Sequence, residues 1–279
     1  MKTAIIIGAA GGIGQILAKE FCRAGFGVTL VGRKQVNLEE LNKTLPPTAR
    51  AQTISVDVTQ LEAVEKIFAE HEEFFKQPAD VVINLAAQQG PLGAVWEVDA
   101  EGWFDSVRHN LMPAFLLTST AIHWARKYNK MCSIIHFSGG GAAYARPYFS
   151  AYGCSKTALL RFVETVAVEL QEQGFGQMIQ INAIAPGAIN TAMTQEILNA
   201  GRAIVGEKAF AEAAKVQEGN GQSPKNAADL CLFLSDRAKN QGISGKLIHV
   251  NDPYLQWQAR TAQINLSEQG LLRRINYDK

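Results

Sequence analysis

Apolar residues fall along this chain in short runs at 3–7, 28–31, 52–56, 80–85, 132–137, 178–184 and 246–250. Short, largely apolar runs of this kind predict strands buried on both faces of a sheet. Between them, near 13–23, 36–44, 60–76, 101–127, 151–173 and 224–235, the pattern is helical. Strand alternating with helix throughout predicts a doubly wound α/β fold, a parallel sheet with helices on both faces. No internal repeat, low-complexity stretch or long polar linker interrupts it, so a single domain is predicted.

Two segments break the rhythm. Residues 188–222 contain Gly201, Gly206, Gly219 and Gly221 and read as one or two helices joined by mobile loops. They follow the C-terminal end of a strand, where ligands of α/β sheets bind, and are expected to form a lid. Residues 251–279, with Trp257 and Leu271-Leu272-Arg273-Arg274, are too polar for another strand–helix unit and read as a tail docking on the domain formed by 1–250.

Two local patterns carry chemistry. The first strand runs straight into Gly8-Ala9-Ala10-Gly11-Gly12-Ile13-Gly14, and a helix follows. Glycines there allow a tight turn and bring backbone N–H groups toward a pyrophosphate at the helix N-terminus, where the helix dipole favours anions. The second pattern is Tyr152-x-x-x-Lys156. Positions four apart share a helix face, so the ammonium is expected beside the phenol, pulling its pKa down toward neutrality. A phenol tuned in this way exchanges a proton with a carbonyl or alcohol oxygen near pH 7.

Composition narrows the field. The chain has 279 residues, 47% of them hydrophobic, and a formal net charge of +1, which gives no electrostatic case for nucleic acid or an anionic membrane. No run approaches the roughly 20 apolar residues of a membrane span. The glycines at 11, 12 and 14 also break up the apolar start, against a secretory signal. Cys22, Cys132, Cys154 and Cys231 lack metal or disulfide spacing and read as reduced thiols of a cytoplasmic protein. No metal site is expected, and His109 and His136 read as packing or surface residues. Asp99, Glu101, Arg146 and Tyr148 border a possible substrate pocket without any chemistry that singles them out, and Arg273-Arg274 reads as part of the docked tail.

Tyr152-x-x-x-Lys156 together with Gly8-x-x-x-Gly12-x-Gly14 resembles the short-chain dehydrogenase/reductase family, and further matches extend over about residues 3–250. Asp57-Val58 resembles the family's adenine-contacting pair. Asn84-Leu85-Ala86-Ala87 resembles its Asn-Asn-Ala-Gly segment, with the second Asn and the Gly changed. Asn110 matches a helix asparagine that supports a proton relay, and Pro186-Gly187 with Thr191 resembles the stretch near the nicotinamide carboxamide. The resemblance implies a Rossmann-like fold and hydride transfer between a nicotinamide cofactor and a small carbonyl or secondary alcohol. It further implies Tyr152 as general acid–base, Lys156 on the ribose, and a homodimer or homotetramer paired through the helix at 151–173.

The departures matter as much. Ile7 stands where the family's turn carries Thr ahead of its first glycine. The family's catalytic serine lies 13 residues before the tyrosine, which falls on Gly139. Ser138, one residue earlier, is expected to take the role through an extra residue in the segment that follows; the alternative is that no serine takes part. After the second strand, Gly32 occupies the place of an acid that would bind both ribose hydroxyls of NAD, and Arg33 offers a planar fork suited to a 2′-phosphate. That favours NADP over NAD. Two rival functions stay open: a non-catalytic dinucleotide-binding sensor, and an epimerase or dehydratase with tightly held NAD.

Overall fold

Thr3–Ile7 (β1) is a run with no polar alternation, and all five of its residues are buried. Alternate side chains of such a strand point to opposite faces. Ala4 and Ile6 join one hydrophobic cluster, while Ile5 and Ile7 join another. A strand of this kind needs helices on both sides, and a computed structural model, which describes residues 1–257 and 261–272, supplies them.

The other strands are Gly27–Gly32 (β2), Ala51–Ser55 (β3), Val81–Asn84 (β4), Cys132–Phe137 (β5), Ile179–Ala185 (β6) and Leu247–His249 (β7). The seven form one sheet in the order β3-β2-β1-β4-β5-β6-β7, each pair parallel. Every predicted strand is present, with ends moved by a residue or two. One face is covered by Gly12–Arg23 (α1) and Pro224–Leu234 (α8), through Leu17, Phe21, Leu230 and Leu234. The other is covered by Leu61–Phe75 (α3), Ala100–Lys127 (α4) and Ser150–Glu172 (α5), through Phe68, Leu117, Leu159 and Val163. Gln35–Lys43 (α2) links β2 to β3.

The chain reverses winding direction between β1 and β4. Loops leaving the two strands diverge there and leave a crevice, the usual ligand position of such sheets. Segment 188–222 lies over this end as two helices, Ala192–Ala200 (α6) and Arg202–Lys215 (α7), then a single π turn at Val216–Asn220. Gly206 breaks α7 with φ 76. A small cluster of Phe149, Ile197, Val205, Ala209 and Ala213 holds these helices to the start of α5.

Beyond β7 the chain continues as a short 3₁₀ turn at Tyr254–Gln256 and a helix at Thr261–Leu266. Trp257 and Ile264 are buried in the first cluster. Lys246 donates to the Ser267 carbonyl at 2.6 Å, and Leu247 N–H donates to Gly270 at 2.8 Å. Arg273 and Arg274 lie outside the described residues. Among the described residues no helix is long and apolar enough to cross a membrane.

Candidate active site

The glycine turn is built by close approach. Gly8 adopts φ 78, and its N–H donates to the Val31 carbonyl at 2.9 Å. A Cβ on Gly14 would stand 2.3 Å from the Gly8 carbonyl oxygen and 2.7 Å from that of Ala9, so only glycine lets α1 start this near the strand. Gly11 caps α1 without a side-chain hydrogen bond. The N-terminal amides of a 12-residue helix therefore lack a side-chain cap and face the crevice.

One cleft of about 1550 Å³ joins this turn to the Tyr152 region. Gly8, Gly12, Ile13, Gly14, Arg33, Asp57, Val58 and Ala86 line one part, and Ser138, Tyr152, Lys156, Pro186, Gly187 and Thr191 another. Asp57 accepts from Thr59 N–H at 3.0 Å and from its hydroxyl at 2.9 Å, which holds its carboxyl below the usual range. Asn84 and Asn110 do not line the cleft; both are buried behind it. Asn84 accepts from Ala86 N–H at 3.0 Å and meets the His136 ring at 3.2 Å. Asn110 clasps the backbone of Gln88, accepting at 2.8 Å and donating at 2.9 Å, and donates to Ser155 Oγ at 3.0 Å. Thr191 opens α6 with a reciprocal capping box to Thr194, and its methyl would lie 3.4 Å from a Cβ on Gly12.

Tyr152 and Lys156 sit one turn apart in α5, both buried. The Lys156 ammonium is 5.6 Å from the centre of the phenol ring and donates to the Phe137 carbonyl at 2.9 Å. Burial pushes Lys156 down to about 8 and the phenol up to about 12. This corrects the expectation that the lysine draws the phenol toward neutrality. Desolvation of the phenolate outweighs the nearby charges, and the cation that offsets it is Arg146.

Around the catalytic serine's expected place the geometry is specific. A Cβ on Gly139 would lie 2.3 Å from the Tyr152 hydroxyl, so the phenol occupies the room a side chain there would need. Ser138 is buried, with no hydrogen-bond partner for Oγ. The loop to α5 is tied down: Tyr148 adopts φ 71 and its carbonyl accepts from Gly93 N–H at 3.0 Å.

Arg146 and Gln89 also line the cleft and were not among the residues the sequence motifs select. No local pattern marks them, because their roles depend on how the 139–149 loop and the segment after β4 fold. His109 is engaged with its own helix, through the Asp105 carbonyl at 2.9 Å and its carboxylate at 3.2 Å. Among the described residues no cluster of His, Cys, Asp or Glu could hold a metal ion.

Comparison with known proteins adds a family model described as short chain dehydrogenase, which matches residues 2–201. A short chain dehydrogenase of Pseudocercospora fijiensis is 29% identical over 195 residues, covering 69% of this chain and 61% of that protein. A 3-oxoacyl-(acyl-carrier-protein) reductase of Rickettsia bellii is 26% identical, over 90% of this chain and 95% of that one. The solved structure of an actinorhodin polyketide ketoreductase variant with NADPH superposes with a TM-score of 0.76 at 23% identity, over 89% of this chain and 95% of its own.

Proposed function

The chain belongs to the short chain dehydrogenase family of oxidoreductases, and we propose that it moves a hydride between NADP(H) and a small carbonyl or secondary alcohol, with Tyr152 as general acid–base. The observation that carries this reading is the single cleft joining the glycine turn at α1 to the buried Tyr152–Lys156 pair.

The residues present fit a nicotinamide dinucleotide. Gly14 leaves no space for a Cβ, and the uncapped N-terminus of α1 suits a pyrophosphate. The exposed Arg33, at the end of β2, suits a 2′-phosphate and supports NADP over NAD. When bound, the nicotinamide supplies or accepts the hydride. The chain's own part is to orient and to move protons. Asp57 and Val58 wall the adenine side, and Pro186, Gly187 and Thr191 wall the opposite end. Lys156, fixed by the Phe137 carbonyl, presents its remaining protons to the cleft. Tyr152, held neutral by burial, donates its proton to the carbonyl oxygen in reduction. Asn84 and Asn110 shape the loop after β4, with Asn110 holding Gln88 against α4 and α5.

Ser138 is proposed to steady the carbonyl oxygen, supported by its buried, unpartnered hydroxyl. Gly139 favours a second reading in which no serine takes part, since position 139 is the one that abuts the phenol. Segment 188–222 acts as a lid, and the exposed Phe104, Phe115 and Val168 on α4 and α5 support a homodimer or homotetramer of a cytoplasmic enzyme.

A carbonyl screen followed by NADPH absorbance tests the reading. Tyr152→Phe is expected to lower turnover by about a thousandfold, in the range of general acid–base losses, while nucleotide affinity is kept. Retained turnover in Tyr152→Phe overturns the acid–base role. A loss of about tenfold or more in Ser138→Ala supports the serine; no loss supports the second reading.

A further inference from the structure

We propose that the substrate of this cleft is an anionic carbonyl compound, a carbonyl with a carboxylate one or two carbons away, and that Arg146 is the residue that holds the carboxylate. This rests on the hydride-transfer reading and specifies its substrate class.

Arg146 lies in the loop between β5 and α5. Its guanidinium carbon sits 3.9 Å from the centre of the Phe149 ring. Phe149 is itself fully buried in the cluster that holds α6 and α7, so the platform is fixed. The guanidinium also passes close to Gly140, where a Cβ would stand 3.2 Å from Nη1. The neighbouring Gly139 abuts the Tyr152 hydroxyl in the same way. Two consecutive glycines thus bring a cation and the acid–base phenol to the same stretch of cleft wall, and the charge of Arg146 is felt at the phenol.

Among the described residues no carboxylate or carbonyl pairs with that cation, and its guanidinium takes part in no ion pair or hydrogen bond. A stacked, partly buried guanidinium keeps its fork of N–H donors free in a geometry that matches a carboxylate bidentately. Two more polar groups belong to residues of this cleft and lack partners, the amide nitrogen of Gln89 and the hydroxyl of Ser138. A buried donor left unpaired costs about 1–3 kcal/mol. A lone ketone oxygen can answer the Ser138 hydroxyl, whereas a ligand with further acceptor oxygens can also answer Gln89 and the guanidinium. Of the four acids that line the cleft, Glu207 faces Arg202 at 3.6 Å, Asp57 is held by Thr59, and neither Glu196 nor Glu212 forms an ion pair with Arg146.

The test is calorimetric titration of unreactive analogues into the protein, alone and saturated with NADPH. Oxamate and malonamate carry the anion beside a carbonyl; oxamide and malonamide are their neutral counterparts. At least one anion is expected to bind about tenfold or more tightly than its neutral partner. Arg146→Gln should reduce that preference to within about threefold, and Arg146→Lys should retain part of it, with NADPH affinity unchanged in both. Equal binding of anion and neutral by the unaltered protein overturns the inference, as does binding of neither or a preference that survives in Arg146→Gln. NADPH binding, read in the same titrations, separates the two levels. Its absence sinks the dinucleotide reading, while the comparison on the protein alone still decides the role of Arg146.

Discussion

The two ends of the cleft are made of different materials. At the β1–α1 end the surface is backbone: Gly8 at φ 78, Gly14 packed against two carbonyl oxygens, and the amides that open α1. At the Tyr152 end it is side chains collected from distant places: Gln89 after β4, Ser138 and Arg146 around the β5 exit, Lys156 on α5. A backbone site is specified by the few residues that form it, and its ligand contacts are general. A side-chain site depends on long-range folding and sets what the substrate must be. The first end can therefore be shared across a family, while at the second end Tyr152 and Lys156 belong to a shared pattern and Gln89 and Arg146 do not.

Paired substitutions at glycine should separate the two ends most sharply. Gly14→Ala drives a Cβ into backbone that cannot move aside, costing about 2 kcal/mol or more and removing nucleotide binding; a melting curve and an NADPH titration measure both. Gly139→Ala meets the phenol instead. Turnover should fall by about a hundredfold, while nucleotide affinity stays within about threefold. If Gly139→Ala loses nucleotide binding as Gly14→Ala does, the division between the ends is wrong.

A smaller effect comes from pH. Burial depresses Lys156 to about 8, so its charge is present below that pH and lost above it. Tyr152, near 12, stays protonated throughout. Carbonyl reduction at limiting nucleotide should thus be level from pH 6 to about 7.5, then fall by about tenfold per unit above about 8. A profile level to pH 9.5 contradicts the assignment of Lys156 as a required cation.

The same contrast explains what could be read from the chain alone. Runs such as 3–7 and 132–137 are apolar because both faces are buried, and the sheet follows directly. The glycine turn was legible because its function is its backbone. The helices Arg237–Asn240 and Thr261–Leu266 were not, being too short to show a period. Asn110 was legible through its match to a family asparagine, but its clasp on Gln88 spans 22 residues. The i,i+4 spacing placed Lys156 near Tyr152, yet could not reveal that the Phe137 carbonyl takes its ammonium, or that burial would dominate the phenol. Arg146 was visible only as a residue beside a possible pocket. Its free fork appears once Phe149 and Gly140 are seen beside it.

The central claim, that this cleft is a dinucleotide site reading a 2′-phosphate through Arg33, is most directly tested by fluorescence titration of NADPH and NADH side by side. The account predicts NADPH binding about tenfold or more tightly than NADH, with the preference lost in Arg33→Ser. Binding of NADH as tightly as NADPH, or of neither nucleotide, would contradict it.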